Sequence, residues 1–165
     1  MDGIPFFPMF ISLNGKRGVV IGGGTIAFRR ISTLLEFGCD LTVIAPKLCP
    51  SLEQLVQNLP ERIHWECREY APGDLEGAFL AVAATDLREV NHQVFLECRK
   101  SGVLASIADR KEECDFYFPA VIRQDTMVVG VNGGGTDHKK VRQTADWLRE
   151  HKKELFACGD TPAET

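Results

Sequence analysis

A surplus of basic residues, close cysteine pairs, long apolar runs and internal repeats are all missing from this 165-residue chain. The formal net charge is −4, whereas a general nucleic-acid binder shows a basic surplus or stripe. The six cysteines, at 39, 49, 67, 98, 114 and 158, include no C-x-x-C pair. That removes a zinc site built on close ligand pairs, and no metal site is assigned. No run approaches a membrane span. The segment from Met1 to Asn14 is apolar, but it has no basic n-region or A-x-A-like end and is broken by Pro5 and Pro8. It does not read as a secretory leader. The expectation is a cytoplasmic protein with no nucleic-acid or membrane partner, in which Cys39 and Cys98 are small core residues rather than disulfide partners.

What is present is ordinary for a soluble domain, with 44% hydrophobic and 25% charged residues. From Gly18 short apolar runs alternate with helical stripes. Gly18 to Ile21 reads as a buried strand, 25–37 as a helix ended by a left-handed Gly38, and Leu41 to Ala45 as a second strand. A short helix at 51–59 and a strand from Ile63 to Cys67 follow. Phe79 to Ala84 is apolar on both faces, as a covered parallel sheet requires. Thr85-Asp86 offers a helix start, Val90, Val94, Phe95 and Cys98 give the stripe, and Val103 to Ala108 is a further strand. This alternation predicts an α/β, Rossmann-type doubly wound parallel sheet, with residues 1–110 as the nucleotide-binding domain. A strand order cannot be read from it.

Beyond that point the pattern changes. Phe116 to Arg123 and Met127 to Asn132 are β-prone, separated by the polar Gln124-Asp125-Thr126, and a helix is expected from His138 to Glu154 with Val141, Ala145 and Leu148 on one face. Residues 111–155 are therefore expected to form a small β-rich and helical dimerisation and substrate segment. Residues 156–165 lack periodicity and read as a loose tail.

The strongest chemical signal is Gly22-x-Gly24-x-x-Ala27, a G-x-G-x-x-A turn between a buried strand and a helix. Gly22 permits the tight turn, Gly24 lets backbone approach a pyrophosphate, and Ala27 permits close helix–strand packing. The helix N-terminus then offers N–H groups to phosphates. An acidic residue expected about 20 residues further on, for the adenosine ribose, is replaced by Ala45-Pro46-Lys47. Lys47 would tolerate a 2′-phosphate, so the residues leave NAD and NADP both open. Asp109 stands just past a parallel strand's C-terminal end, where open α/β sheets bind ligands; it reads either as a base or orienting carboxylate or as a loop or capping residue.

Taken together, several stretches resemble precorrin-2 dehydrogenases, the N-terminal module of sirohaem synthases. They are Phe7-Pro8-Met9-Phe10, Leu13-Asn14-Gly15-Lys16, Val19 to Ala27 with Arg30, Val43-Ile44-Ala45-Pro46, and Ala83-Ala84-Thr85-Asp86 with Asn91. Ala108-Asp109 and Cys114 to Ala120 complete the match. The resemblance implies NAD-dependent oxidation of precorrin-2 to sirohydrochlorin by a homodimer. It implies cofactor contacts at Gly22, Gly23, Gly24, Thr25, Ile26, Pro46, Lys47, Thr85 and Asp86, with Asp109 as the key aspartate. Substrate carboxylates need cations, and Arg110, Lys111, Arg123, Lys139, Lys140 and Arg142 fall in the second half. A charge cluster is also what any solvated face carries. Arg110, Lys111, Asn132, Gly134 and His138 are taken as substrate contacts.

Two departures from the family's pattern stand out. A Ser-Pro pair is replaced by Asp137-His138, and the chain stops short of the helical segment that usually follows. Both fall on the expected tetrapyrrole side, and they predict weak or absent metal insertion into the product. A lone His138 with no partner one turn away reads as a surface residue rather than a metal ligand. The competing readings are a non-catalytic NAD-binding module partnering tetrapyrrole enzymes, which the same departures favour, and a redox-sensing regulatory domain.

Overall fold

The computed structural model describes residues 7–135 and 137–157. Two compact units divide the chain, one spanning Met9–Phe116 and the other holding the described residues from Tyr117 onward together with Phe7 and Pro8.

In the first unit β1 (Arg17–Ile21), β2 (Asp40–Ile44), β3 (Ile63–Glu66), β4 (Leu80–Ala83) and β5 (Leu104–Ile107) form one parallel sheet in the order β3-β2-β1-β4-β5. The central strands are apolar on both faces because helices cover them: Val19, Val20, Ile21, Ala81, Val82 and Ala83 are all buried. Burying a Val or Ile side chain completely contributes about 1.5–3 kcal/mol, so these strands anchor the unit. The helices are α1 (Thr25–Glu36), α2 (Pro50–Asn58) and α3 (Arg88–Ser101). Gly38 does take a left-handed φ of 82° after α1, and Cys39 and Cys98 are fully buried in the core.

The doubly wound expectation therefore holds, and the order supplies what the sequence could not. The chain steps from β1 outward through β2 and β3, then returns to place β4 on β1's other side. This reversal sets a topological switch point between the C-terminal ends of β1 and β4, where such sheets bind their ligands.

Two boundaries differ from expectation. Helix α3 begins at Arg88, not at Thr85-Asp86. Thr85 is held out of the helix by its own side chain, whose Oγ1 accepts the Leu87 N–H at 3.2 Å and donates to Asn91 Oδ1 at 2.8 Å. The first unit also runs to Phe116 rather than 110. After a 3-10 turn at Lys111–Glu113 the chain folds back along β5. There Asp115 N–H donates to Ala105 O at 2.8 Å, Ala105 N–H donates to Asp115 Oδ2 at 2.9 Å, and Ile107 N–H donates to Cys114 Sγ at 3.1 Å. Because β5 is the last strand of the sheet, Cys114 and Asp115 occupy an edge that would otherwise expose unpaired backbone.

In the second unit β6 (Ala120–Gln124) and β7 (Met127–Val131) form an antiparallel hairpin. Its two-residue turn is Asp125-Thr126, with Asp125 at φ 51°. Among its described residues Ile122 and Ala145 are the buried ones, and α4 (His138–Glu150) packs on β6. The helix expected to reach Glu154 is interrupted. His151 turns its ring onto Trp147, with centroids 4.2 Å apart, and α5 (Lys152–Phe156) starts after it. Of the expected tail 156–165, Phe156 closes α5, and residues 158–165 lie outside the described residues.

Candidate functional site

The glycine turn sits at the switch point, and its three glycines differ in why they are glycine. Gly22 has φ 118°, and a Cβ there would lie 2.4 Å from Ala84 O, so the turn packs directly on the end of β4. At Gly23 a Cβ would lie 2.0 Å from Lys47 O, and Gly23 O accepts the Cys49 N–H at 2.7 Å. The Pro46-Lys47 segment thus crosses the turn, and both of those side chains are exposed. Gly24 is different. A Cβ there would meet nothing within 4 Å, and its φ of −83° and ψ of −174° are open to any residue. The protein itself gives no reason for glycine at 24, whereas a pyrophosphate lying against the backbone would. Beyond Gly24 the first turn of α1 carries no acidic residue. Phe28 N–H is the first to find an intrahelical acceptor, Gly24 O at 3.0 Å, so the N–H groups of Thr25, Ile26 and Ala27 precede the helical ladder. Thr25 and Ile26 are exposed and Ala27 is buried against the sheet. These residues fit a dinucleotide: a turn without Cβ atoms, open space above Gly24, and a helix N-terminus free of negative charge.

Beside this turn, the ends of β4 and β5 carry a second group. Asp109, two residues past β5, has a 37% exposed side chain. Its Oδ1 accepts the Asn91 Nδ2–H at 3.0 Å, and Arg88 Nη1 lies 3.3 and 3.4 Å from its two oxygens. Arg88 also donates to Glu113, which receives His92 Nδ1 at 3.1 Å. Burial pushes the Glu113 carboxyl up, but the hydrogen bonds and charges of Arg88 and His92 outweigh it and hold the group below the usual carboxylate range. The bond to Glu113, followed by the charge of Asp109, raises Arg88 above its ordinary value. Asp109 is thus an oriented, partly solvated carboxylate at the edge of the sheet where open α/β folds bind their ligands.

The structure brings Gly22, Gly23, Gly24, Thr25, Ile26, Pro46 and Lys47 together around one turn. Thr85 and Asp86 follow β4 and Asp109 follows β5, the next two strand ends in the row. Arg110 and Lys111 are exposed at the start of the 3-10 turn. Asn132, Gly134 and His138 belong to the second unit. Asn132 Oδ1 accepts the Gly134 N–H at 2.9 Å, and Gly134 has φ 62°. Asp137 is the N-cap of α4, accepting the Lys140 N–H at 2.8 Å. That gives the Asp137-His138 departure a local role, since aspartate caps a helix well; His138 is the exposed first residue of the helix. Of the cations expected to meet substrate carboxylates, Arg110 and Lys111 belong to the first unit and Arg123, Lys139, Lys140 and Arg142 to the second. Arg142 pairs with Asp146 at 3.7 Å.

Sequence reasoning gave no role to Asn91, Arg88, His92 or Glu113. Asn91 carried a signal, being a polar residue on the same helical stripe as Val94 and Cys98 and buried like them. Arg88, His92 and Glu113 gave none, because their meeting depends on how β5 and the 3-10 turn fold beside α3.

Comparison with known proteins adds a family to this geometry. A family model described as "Putative NAD(P)-binding" matches residues 9–120. The chain belongs to this NAD(P)-binding family. The expected nicotinamide dinucleotide agrees with it, and the match takes in the glycine turn, the ends of β4 and β5, and Asp109. The chain is also 42% identical over 145 residues to a protein of Ruminiclostridium josui named "Probable multifunctional siroheme biosynthesis protein HemA", covering 87% of this chain and 28% of that one. It is 38% identical over 130 residues to a siroheme synthase of Photorhabdus laumondii, covering 79% of this chain and 27% of that one. The chain thus spans less than a third of the curated relatives it matches. Among solved structures, "SirC, precorrin-2 dehydrogenase" superimposes with a TM-score of 0.74 over 93% of this chain and 78% of that chain, at 22% identity. At that identity the likeness concerns the fold, and it agrees with the Rossmann-type architecture.

Proposed function

We propose that this chain catalyses the NAD-dependent oxidation of precorrin-2 to sirohydrochlorin. The observation that carries the reading is the row of three strand ends at one sheet edge: a glycine turn with open space at Gly24, then Thr85, then an oriented carboxylate at Asp109. The sirohaem enzymes among its relatives supply the substrate class.

The backbone of Gly22 to Gly24 and the N–H groups of Thr25 and Ile26 would hold the pyrophosphate. Pro46 and Lys47 would border the adenosine ribose, and Thr85 and Asp86 would stand toward the nicotinamide half. Bound NAD supplies the hydride acceptor. Oxidation of the precorrin also releases a proton, and Asp109 would accept it or orient the carbon that loses it. Arg110 and Lys111 would pair with substrate carboxylates; Asn132, Gly134 and His138, which the resemblance also implies as substrate contacts, belong to the second unit. NAD is preferred over NADP on the family resemblance, despite Lys47. The second unit would serve a homodimer, since a two-stranded hairpin covered only by α4 and the short α5 is too small to stand well alone. Light scattering that shows a stable, active monomer would count against this. Metal insertion would be weak or absent and the protein cytoplasmic; the described residues contain no helix long and apolar enough to cross a membrane.

The test is Asp109→Asn, which keeps the shape and removes the charge. Turnover should fall by about 10²-fold or more, while NAD affinity stays near wild type because its contacts lie at 22–26 and 46–47. Near-normal turnover would leave water or the substrate itself as the proton acceptor and overturn the assignment.

A further inference from the structure

Asn91 is completely buried on α3, on the face that also buries Val94 and Cys98. A buried amide is costly unless both of its ends are satisfied, and here every good direction is used. Its Oδ1 accepts the Thr85 N–H at 3.2 Å and the Thr85 Oγ1–H at 2.8 Å. Its Nδ2 donates to Thr85 O at 3.1 Å and to Asp109 Oδ1 at 3.0 Å. Three of these bonds clip the turn between β4 and α3, which would be enough to explain an asparagine in a core stripe. The fourth crosses to the end of a different strand and ends on Asp109, the carboxylate proposed to act on the substrate.

Asp109 has another partner, but of another kind. Arg88 reaches both of its oxygens at 3.3 and 3.4 Å, yet its side chain is 33% exposed and also engaged by Glu113. A long, solvated and shared guanidinium restrains a carboxylate loosely. A buried amide with no rotational freedom does so firmly. We infer that Asn91 is a positioning residue for the dehydrogenation: it pins Asp109 Oδ1 from the protein side and fixes the plane of the carboxylate. It acts through Asp109 and does not itself touch the substrate. This rests on the proposed role of Asp109. It goes further by making the end of β4 and the end of β5 one mechanical unit, so that the Thr85 turn and the carboxylate share a single buried clip.

A double-mutant cycle on the full chain tests the inference. Asn91→Ser should lower kcat by about tenfold or more, the scale expected when a reacting group is misplaced by a fraction of an ångström. KM for precorrin-2 and the NAD dissociation constant, measured by calorimetry, should stay within about twofold. In the Asp109→Asn background the same substitution should change the residual turnover by less than about twofold, because the group it acts through is already disabled. Equal losses in both backgrounds would mean a merely structural role and overturn the inference. So would a loss of NAD affinity with kcat unchanged, which would place the effect at Thr85. If Asp109→Asn alone leaves turnover intact, the proposed role of Asp109 fails first and the inference falls with it. A readout independent of activity and of how well the Asn91 variant folds is the side-chain amide of Asn91, followed by NMR in the unliganded protein. Its protons should exchange slowly, and one should shift when Asp109 is changed to Ala; an unmoved pair would overturn the inference.

Discussion

Gly23 and Gly24 are neighbours in one turn, yet their substitution by alanine should have opposite consequences. At Gly23 the new Cβ would stand 2.0 Å from Lys47 O and 3.0 Å from the Leu48 side chain. Backbone must retreat by more than about 1 Å to restore van der Waals separation. Such overpacking typically costs about 1–3 kcal/mol, or a Tm lowered by about 2–12 °C in a chain of this size. At Gly24 nothing lies within 4 Å of the new Cβ, and the backbone there suits alanine. Alanine is a poorer N-cap than glycine, by about 1 kcal/mol. Reduced freedom of the unfolded chain returns about 0.4–1 kcal/mol, so the Tm should barely move. NAD affinity reverses the comparison. The methyl of Gly24→Ala would occupy the space assigned to the pyrophosphate and should weaken binding by more than about tenfold, or 1.4 kcal/mol. Thermal melting and calorimetric titration with NAD on both variants provide the comparison. A Gly24→Ala protein that binds NAD normally would refute the placement of the pyrophosphate. One that melts as low as Gly23→Ala would refute the claim that the space above Gly24 is empty of protein.

Two further outcomes follow from the same geometry. Titration with both cofactors should show tighter binding of NAD than of NADP; tighter NADP binding that is lost in Lys47→Glu would reverse the assignment. Glu113 is held below the usual carboxylate range when folded, so its contribution to stability is present above its unfolded-state value and is lost as pH falls through the lowered folded-state value. Circular dichroism melts taken from about pH 6 downward should therefore show wild type losing stability faster than Glu113→Gln, and parallel pH profiles would contradict the ion network drawn around Arg88.

Much of the first unit was legible because its strands are covered on both faces and its helices carry clean apolar stripes. The GVVI run, the glycine turn and the left-handed Gly38 lie where local rules put them. Strand order was not legible, since β-α alternation is the same whichever side of β1 the chain returns to. Local rules also failed at Thr85, which looks like a helix cap but turns its hydroxyl to Leu87 and Asn91, and at Cys114-Asp115, which sequence alone would cut from the domain whose edge strand they complete. The break at His151, whose backbone leaves the helical region at φ −96° and ψ 18°, has no counterpart in the helical pattern of the sequence. At the candidate site the glycines and Asp109 could be read from position along the chain. Asn91, Arg88, His92 and Glu113 could not be, because contacts between α3 and the segment after β5 define them.

The most direct test of the central claim is anaerobic incubation of the purified chain with precorrin-2 and NAD, following NADH and sirohydrochlorin in the same cuvette. The expected result is one NADH formed for each sirohydrochlorin, at a rate proportional to protein concentration. Tight NAD binding with no protein-dependent sirohydrochlorin would contradict it, and would leave the chain as a nucleotide-binding module without the chemistry.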